Sequence, residues 1–452
     1  RVLRSFDGGL TWTDMSLGLP YLPVLDLVYQ QGSNGVLYAG TDIGVYRYDP
    51  TVGRWACYNK GLPVCMVTDL EIDYCRQVLH IGTFGRGIWE SPLQIANAPR
   101  IIGANQNTIW EQNSYCLNDI IVEGGATLTI KATLKMGEDK KIVVKRGAKL
   151  IVDNGTITNT CGARWGGIEV WGNTAVAHKD LFNTDTPDGL TVEDYENLVL
   201  ADNDPGMLIL KNSATLQNGN INTIITNRSG GYFPNHYGGI VYGQGSFIIN
   251  CRKGAAFMKY DYRNFSQFKG CLFSSNPSNS SNSPFEGISI WDCKGIKVDN
   301  CTFTYSTTPA NTNRTGITAG EGLIVNNCQF ENLSRGINLG ASTYTDGSSS
   351  VTNSTFSNNG VAVLNMALNQ LQFENNQVTN GTFGVFSAGN SQYTIKGNTF
   401  DGQTSVGIAA LFNSQDTPNN NLIDCNTFTN CPRGNVCNGN NSGLQIINNT
   451  FD

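Results

Sequence analysis

Charge is scarce in this chain. Asp, Glu, Lys and Arg make up only 15% of its 452 residues, and the formal net charge is -6. Such a surface lacks the broad basic footprint of a nucleic-acid binder or of a protein that lies on anionic lipid. Long apolar runs are missing too. None approaches the roughly 18 residues of a spanning helix, so no direct membrane insertion is expected. Histidine is limited to His80, His178 and His236, and there is no Cys-x2-Cys pair near a histidine set, which removes the common zinc frameworks. Nucleophile elbows, zinc-binding helices and phosphate loops are equally absent. Arg stands at position 1, and the last residues, IINNTFD, stop inside a repeat. The sequence therefore reads as part of a longer precursor, with targeting segments and further blades expected outside it.

Gly, Asn, Ser and Thr are abundant while strong helix formers are not, a balance that suits many short strands and turns. The expected fold class is all-β. Thirteen cysteines is an odd count. Cys57, Cys65 and Cys75, and Cys425, Cys431 and Cys437, are close enough for local disulfides in an oxidising location; the alternative is that several are small buried apolar residues.

Residues 1–95 repeat. Gly18-Leu19-Pro20 recurs as Gly61-Leu62-Pro63 and Trp12 recurs as Trp55, in each case 43 residues later. A period of this size with about four strands per unit predicts β-propeller blades, about two of them visible here. The opening stretch SFDGGLTWTD follows the Asp-box pattern through Ser5, Asp7, Gly9, Thr11 and Trp12. Asp7 is expected to accept backbone N–H groups across a hairpin turn, and Trp12 to pack beneath it. The second copy, RYDPTVGRW, keeps Asp49, Gly53 and Trp55 with one residue inserted. Drift of that kind suits a turn motif, not a catalytic one. A sialidase also needs an arginine cluster and a Tyr/Glu nucleophile pair, and the arginines here are scattered.

After a linker-like stretch at 96–107, residues 108–452 take a different rhythm. Gly125-Ala126-Thr127-Leu128 recurs as Gly147-Ala148-Lys149-Leu150, at a spacing of 22. Phe273, Phe303, Phe330, Phe356, Val378, Phe400, Phe428 and Phe451 end equivalent segments, spaced 30, 27, 26, 22, 22, 28 and 23. Turns of just over twenty residues with variable loops predict the rungs of a parallel β-helix. Cys271, Cys301, Cys328, Ser354, Asn376, Asn398 and a late asparagine fall in one column, where stacked side chains can form a hydrogen-bonded ladder.

The Asp-box repeats followed by W-x-x-N-x-x-x-x-N-D-I from Trp110, V-x-x-G-A-T-L-T-I and R-W-G-G-I-E-V-W-G (Arg164 to Gly172) resemble secreted surface proteins exported by the bacterial type IX system. The coil repeat is similar to that of right-handed β-helices in pectate lyases, polygalacturonases and alginate-modifying enzymes. The resemblance implies a secreted or cell-surface location and a right-handed coil, and says little of activity. Polygalacturonases carry acidic motifs on successive rungs to supply acid and base. Asn183-Thr184-Asp185 matches one of them without its companions. Ile290-Trp291-Asp292 is similar to a pectate-lyase segment, but Cys293 stands where His is expected.

Three surface features remain. The insertion at about 174–205 holds Asp180, Asp185, Asp188, Glu193, Asp194, Glu196, Asp202 and Asp204 against one Lys179; Asp202 and Asp204 are candidate calcium ligands, against a solvated acidic lid. Trp171, Tyr242 and Trp291 fall at similar strand ends and are candidate glycan-binding residues, with Tyr242 breaking the inward–outward alternation. Arg252, Lys253, Lys259, Arg263 and Lys269, interrupted by Asp261, could meet an acidic polysaccharide. The leading expectation is a non-catalytic adhesive stalk carrying a propeller module, with a polysaccharide or cell-surface glycan as partner. The alternatives are a lyase or hydrolase working along the coil, and a structural partner of other proteins in a secretion or gliding assembly.

Overall fold

A computed structural model of the chain describes residues 1–95, 98–275, 285–306, 313–320, 322–340, 348–366, 370–389, 391–412 and 420–452. Three parallel sheets of 13 strands each run along the coil as its three faces. A rung adds one strand to each face. In one rung these are Arg314–Ala319 on the first, Ile324–Asn326 on the second and Gln329–Glu331 on the third. At about 4.8 Å per rung the rod is about 60 Å long. The first strand, Arg100–Ile102, pairs in register with Ile120–Val122. The coil therefore starts inside the stretch expected to be linker.

Alternation of side chains puts like residues on like. Ile288, Ile317, Ile337, Val363, Val385 and Ile408 are Cα partners along the first face, and all are fully buried. On the third face the phenyl rings stack: Phe273, Phe303, Phe330 and Phe356 lie 4.7–5.0 Å apart with planes within 8°. Val378 interrupts this stack. Phe373, from the second face, approaches the gap and lies 5.8 Å from Phe356 and 6.4 Å from Phe400.

The corner between the second and third faces explains the asparagine content. Asn300, Asn327, Asn353, Asn375 and Asn448 adopt φ of 51–57° there, a left-handed turn that Asn tolerates better than most residues. The next residue in each rung builds the ladder. The N–H of Cys271 donates to Cys301 Sγ, Cys301 to Cys328 Sγ, Cys328 to Ser354 Oγ, and Ser354 to Asn376 Oδ1. Asn376, Asn398 and Asn426 continue it to Asn449 with both backbone and side-chain N–H groups.

Residues 1–95 form small antiparallel sheets: a hairpin of Leu3–Arg4 with Thr13–Asp14, a four-stranded sheet from Val24 to Cys57, and a three-stranded sheet from Val67 to Pro92. Val36, Tyr38, Val45, Val67, Leu70, Leu79 and Ile81 form a core between the last two. These sheets are tied to the coil. Cys75 is disulfide-bonded to Cys161, 86 residues away, so its partner is not the expected Cys57 or Cys65. The free Cys425, Cys431 and Cys437 form no local bridge either. The Tyr74 ring stacks on Tyr115 at 4.0 Å, and its hydroxyl accepts the Gln31 N–H at 2.6 Å. Gly32, at φ 77°, presses against the first rung so closely that a methyl group would lie 2.1 Å from the Tyr115 carbonyl.

The acidic insertion folds onto the second face. It carries two short helices, α1 (His178–Phe182) and α2 (Val192–Asn197). A capping box between Thr191 and Asp194 starts α2. Leu181, Phe182, Leu190, Val192, Leu198 and Leu200 pack with Tyr195 over Met207, Ile209, Ile240 and Tyr242. The buried Lys149 ammonium gathers the end of α2, donating to the carbonyls of Tyr195, Glu196 and Leu198 at 3.1, 2.5 and 2.5 Å. The insertion is thus a docked cover with an acidic outer side.

His178 fastens that cover. Its Nδ1 accepts the Phe265 N–H at 3.1 Å, so Nε2 carries the proton that meets the Gly238 carbonyl at 2.9 Å. Complete burial pushes its pKa down to about 4, against about 6.5 in an unfolded chain. The folded state therefore resists a proton that the unfolded state takes up. The contribution of His178 is complete above about pH 6.5 and is lost progressively as pH falls towards 4. Limited proteolysis within 174–205 is expected to accelerate over that window. In His178→Asn, which has no proton to gain, this part of the pH dependence is expected to flatten.

Candidate functional site

The outward side of the first face carries two of the three aromatic candidates. Ile168 and Val170 point into the core, so Glu169 and Trp171 point out. Trp291 follows Ile290 in the same way, and the register of the intervening strands puts it in the Trp171 column three rungs on. The two indoles are therefore about 14 Å apart along the rod. Tyr242 does not belong with them. It lies in Ile240–Gln244 on the second face and is 1% exposed beneath the acidic insertion, its ring 4.4 Å from that of Tyr195 and tilted by 35° to it. Its expected role in glycan contact is corrected to one in core packing, which also accounts for its broken parity.

Trp291 is 58% exposed. Trp171 is half-buried beneath the loop at 226–239. Arg228 lies 5.2 Å over its ring and 4.3 Å over Phe233, and the His236 ring meets Trp171 edge-on at 5.0 Å. Arg146 anchors the loop by donating to the carbonyls of Gly172 and Asn235. His236 is packed against Trp171 and Phe233, and burial beside Arg146 and Arg228 lowers its pKa.

Beneath Trp171 lies a charged group that sequence reasoning missed. Glu169, only 3% exposed, accepts hydrogen bonds from Lys141 Nζ at 2.5 Å, from the Ser229 hydroxyl and from Trp171 Nε1 at 2.9 Å. Burial alone pushes its pKa up. The three donors outweigh burial and hold the carboxyl below its usual range. Lys145, on the neighbouring position, pairs with Glu123 at 2.8 Å. The signal was available: Glu169 falls between two inward residues of GGIEVWG, so it had to face outward beside Trp171.

The other expected positions are distributed elsewhere. In the Asp-box hairpin Asp7 Oδ1 accepts the Thr11 N–H at 2.9 Å and Oδ2 the Thr11 hydroxyl at 2.6 Å, while Ser5 Oγ accepts the Gly9 N–H at 2.7 Å. These Thr11 donors and the Ser5 hydroxyl lower the Asp7 pKa to about 2. Trp12 donates from Nε1 to the Gly9 carbonyl at 3.0 Å but stays 60% exposed, lying against the turn instead of being buried under it. Asp204 turns back to accept the Ala201 N–H at 2.8 Å, and Asp202 is exposed. Among the described residues no group of three His, Cys, Asp or Glu side chains is placed to hold a metal ion; the loop carrying Asp202 and Asp204 is closed by the hydrogen bond of Asp204. The basic stretch is dispersed: Lys253 pairs with Glu286 at 2.8 Å, and Lys269 donates to the Leu190 carbonyl of the insertion. Asn183 is the left-handed cap of α1, and the exposed Asp185 contacts Lys179 at 3.4 Å.

The family model described as right handed beta helix region matches residues 206–400 and 286–451, together more than half of the chain. The chain belongs to this family. No curated protein matches it. Among solved structures it is similar to a tailspike protein of E. coli bacteriophage HK620, at 12% identity and a TM-score of 0.38 over 79% of this chain and 60% of that one. It is also similar to an exopolygalacturonase from Thermotoga maritima, at 13% identity and a TM-score of 0.38 over 76% of this chain and 84% of that one. A third is a surface protein and adhesin of Streptococcus pneumoniae, at 12% identity and a TM-score of 0.23 over 79% of this chain and 91% of that one. The chain spans less than two thirds of the tailspike's length. Among the described residues no helix is long and apolar enough to cross a membrane.

Proposed function

We propose that this chain is a non-catalytic secreted or cell-surface protein whose coil is a stiff spacer that binds glycan along its first face. The carrying observation is the outward aromatic column of the first face: Trp291, 58% exposed, offers an open indole of the kind that stacks on a sugar ring. Beside Trp171 in the same column, Glu169 is held below its usual range despite its burial by hydrogen bonds from Lys141, Ser229 and Trp171, whereas a glycosidase acid needs an upward shift to keep its proton. The Cys75–Cys161 bond supports an oxidising, extracellular location.

The N-terminal sheets are proposed as blades of an Asp-box propeller that serves as a docking module, and export by the type IX route is part of the same reading. Leu70 of the second sheet is buried against the first, whereas Leu27, its counterpart 43 residues earlier, is 44% exposed. The first sheet thus offers outward the face that the second buries, which is the arrangement of a repeat whose neighbour is another blade.

One observation favours a second reading, a polysaccharide lyase or hydrolase. Glu123, Lys141, Lys145, Glu169 and Arg228 come together around Trp171 from neighbouring rungs. A glycan array followed by a turnover assay separates the two. Trp291→Ala is expected to weaken glycan retention about tenfold with an unchanged melting temperature. No new reducing ends or unsaturated sugars are expected from any retained polysaccharide. Turnover lost in Glu169→Gln would establish the enzyme instead. Co-purification with a large envelope complex would favour the assembly role.

A further inference from the structure

Two cavities abut where the N-terminal sheets meet the first rungs. One, of about 260 Å³, is lined by Gln30, Gln31, Arg47, Arg100 and Asn118 among others. The second, of about 430 Å³, includes Tyr29, Gln31, Arg100, Trp110 and Gln112 in its wall. Arg100 and Gln31 belong to both. The walls come from two parts of the chain that the Cys75–Cys161 bond, the Tyr74–Tyr115 stack and the close contact of Gly32 hold together.

The polar groups here are under-used. The Arg100 guanidinium lies over the Trp110 ring, 4.3 Å from its centroid, and among the described residues no carboxylate pairs with it. Arg47 touches Asp49 Oδ2 only loosely, at 3.8 Å, while Asp49 Oδ1 accepts the Thr51 N–H and hydroxyl; Arg47 Nε is buried without an acceptor. The buried Oε1 of Gln31 has no donor. Glu111, which lines the second cavity, is turned towards Lys131 at 3.7 Å. Buried polar atoms without partners are uncommon, and two of them, Arg47 Nε and Gln31 Oε1, belong to this wall beside the carboxylate-free Arg100, although Asp49 and Glu111 also line it.

We infer that this junction is a binding site for a carboxylate-bearing saccharide. A guanidinium fork matches a carboxylate in plane and charge. The amides of Gln30, Gln31 and Asn118 suit ring hydroxyls, and the rings of Tyr29 and Trp110 supply flat apolar edges. The site is separate from the Trp171–Trp291 column and goes beyond the glycan contact proposed there.

Calorimetric titration of the disulfide-intact chain with D-glucuronate, D-glucose and N-acetyl-aspartate tests it. Saturable glucuronate binding is expected, with glucose about tenfold weaker or more. Arg100→Gln should lose about tenfold or more in glucuronate affinity. Arg100→Lys, which keeps the charge without the fork, should lose several-fold and guards against a folding defect in the first variant. The site is overturned if glucuronate does not bind, if both Arg100 variants bind it unchanged, or if N-acetyl-aspartate binds as tightly. Loss of array binding in Trp291→Ala together with unchanged glucuronate binding in Arg100→Gln would sink the junction site and leave the coil's glycan face standing.

Discussion

Replacing Asn398 by leucine, which keeps the branched heavy-atom skeleton but none of its polar groups, is expected to destabilise the coil by about 4 kcal/mol. Asn398 Oδ1 accepts both the backbone and the side-chain N–H of Asn376, and its Nδ2 donates to the Phe373 carbonyl and to Asn426 Oδ1. Leucine provides neither. It strands the Asn376 N–H in an interior where water cannot reach it, and each such orphan costs about 1–3 kcal/mol. The chain supplies its own control, since Ser354 occupies the same column and accepts the Cys328 N–H at 3.0 Å. Asn398→Ser is therefore expected to lose less than half as much. Because rungs contact only their neighbours, the damage should be local. Hydrogen exchange at Asn376 and Thr399 is expected to rise in Asn398→Leu, while amides near Leu128 and Leu150 keep their protection. Uniform exchange along the whole rod would contradict the ladder's part in it.

The ladder was legible because it repeats. A small polar residue two places before each phenylalanine, at intervals of 22 to 30, gives column and neighbours without coordinates. The even spacing of Val378 between Phe356 and Phe400 likewise predicted a rung with a smaller side chain. Tyr242 was misplaced for a related reason. GGIVYG resembles GGIEVWG and GISIWD, but after a long insertion nothing local says which face the chain has returned to. Only the register of Ile209 with Tyr242 assigns it to the second face.

Long-range pairings were invisible. Cys75 and Cys161 carry no spacing signal across 86 residues, whereas Cys57 and Cys65 were merely close in sequence. The insertion was read by its charges, yet Leu181, Phe182, Leu190, Val192 and Tyr195 had already marked an apolar underside. The start of the coil was read late because the Pro-Arg-Ile-Ile-Gly stretch has no earlier rung to match, so periodicity could not count it. Arg100 on that first rung is what gives the junction its unpaired guanidinium.

The strongest steric test uses the packing of glycine against phenyl rings. Gly384→Ala is expected to cost about 3 kcal/mol, because a methyl group there would lie 2.3 Å from the Gly407 carbonyl oxygen and 2.5 Å from a Phe400 ring carbon. Gly316, Gly336 and Gly407 meet the rings of Phe330, Phe356 and Phe428 in the same way. The one alanine among them, Ala362, is in register between Gly336 and Gly384 and belongs to the rung where the phenylalanine gives way to Val378. The smaller side chain makes the room that the methyl group needs. Phe400→Val should therefore recover part of the loss in Gly384→Ala, and Ala362→Gly should recover part of the loss in Val378→Phe. Each double-mutant cycle is expected to give a coupling of about 1–2 kcal/mol from melting curves. Additive cycles would mean that backbone crowding at Gly407, and not the ring, excludes the methyl group.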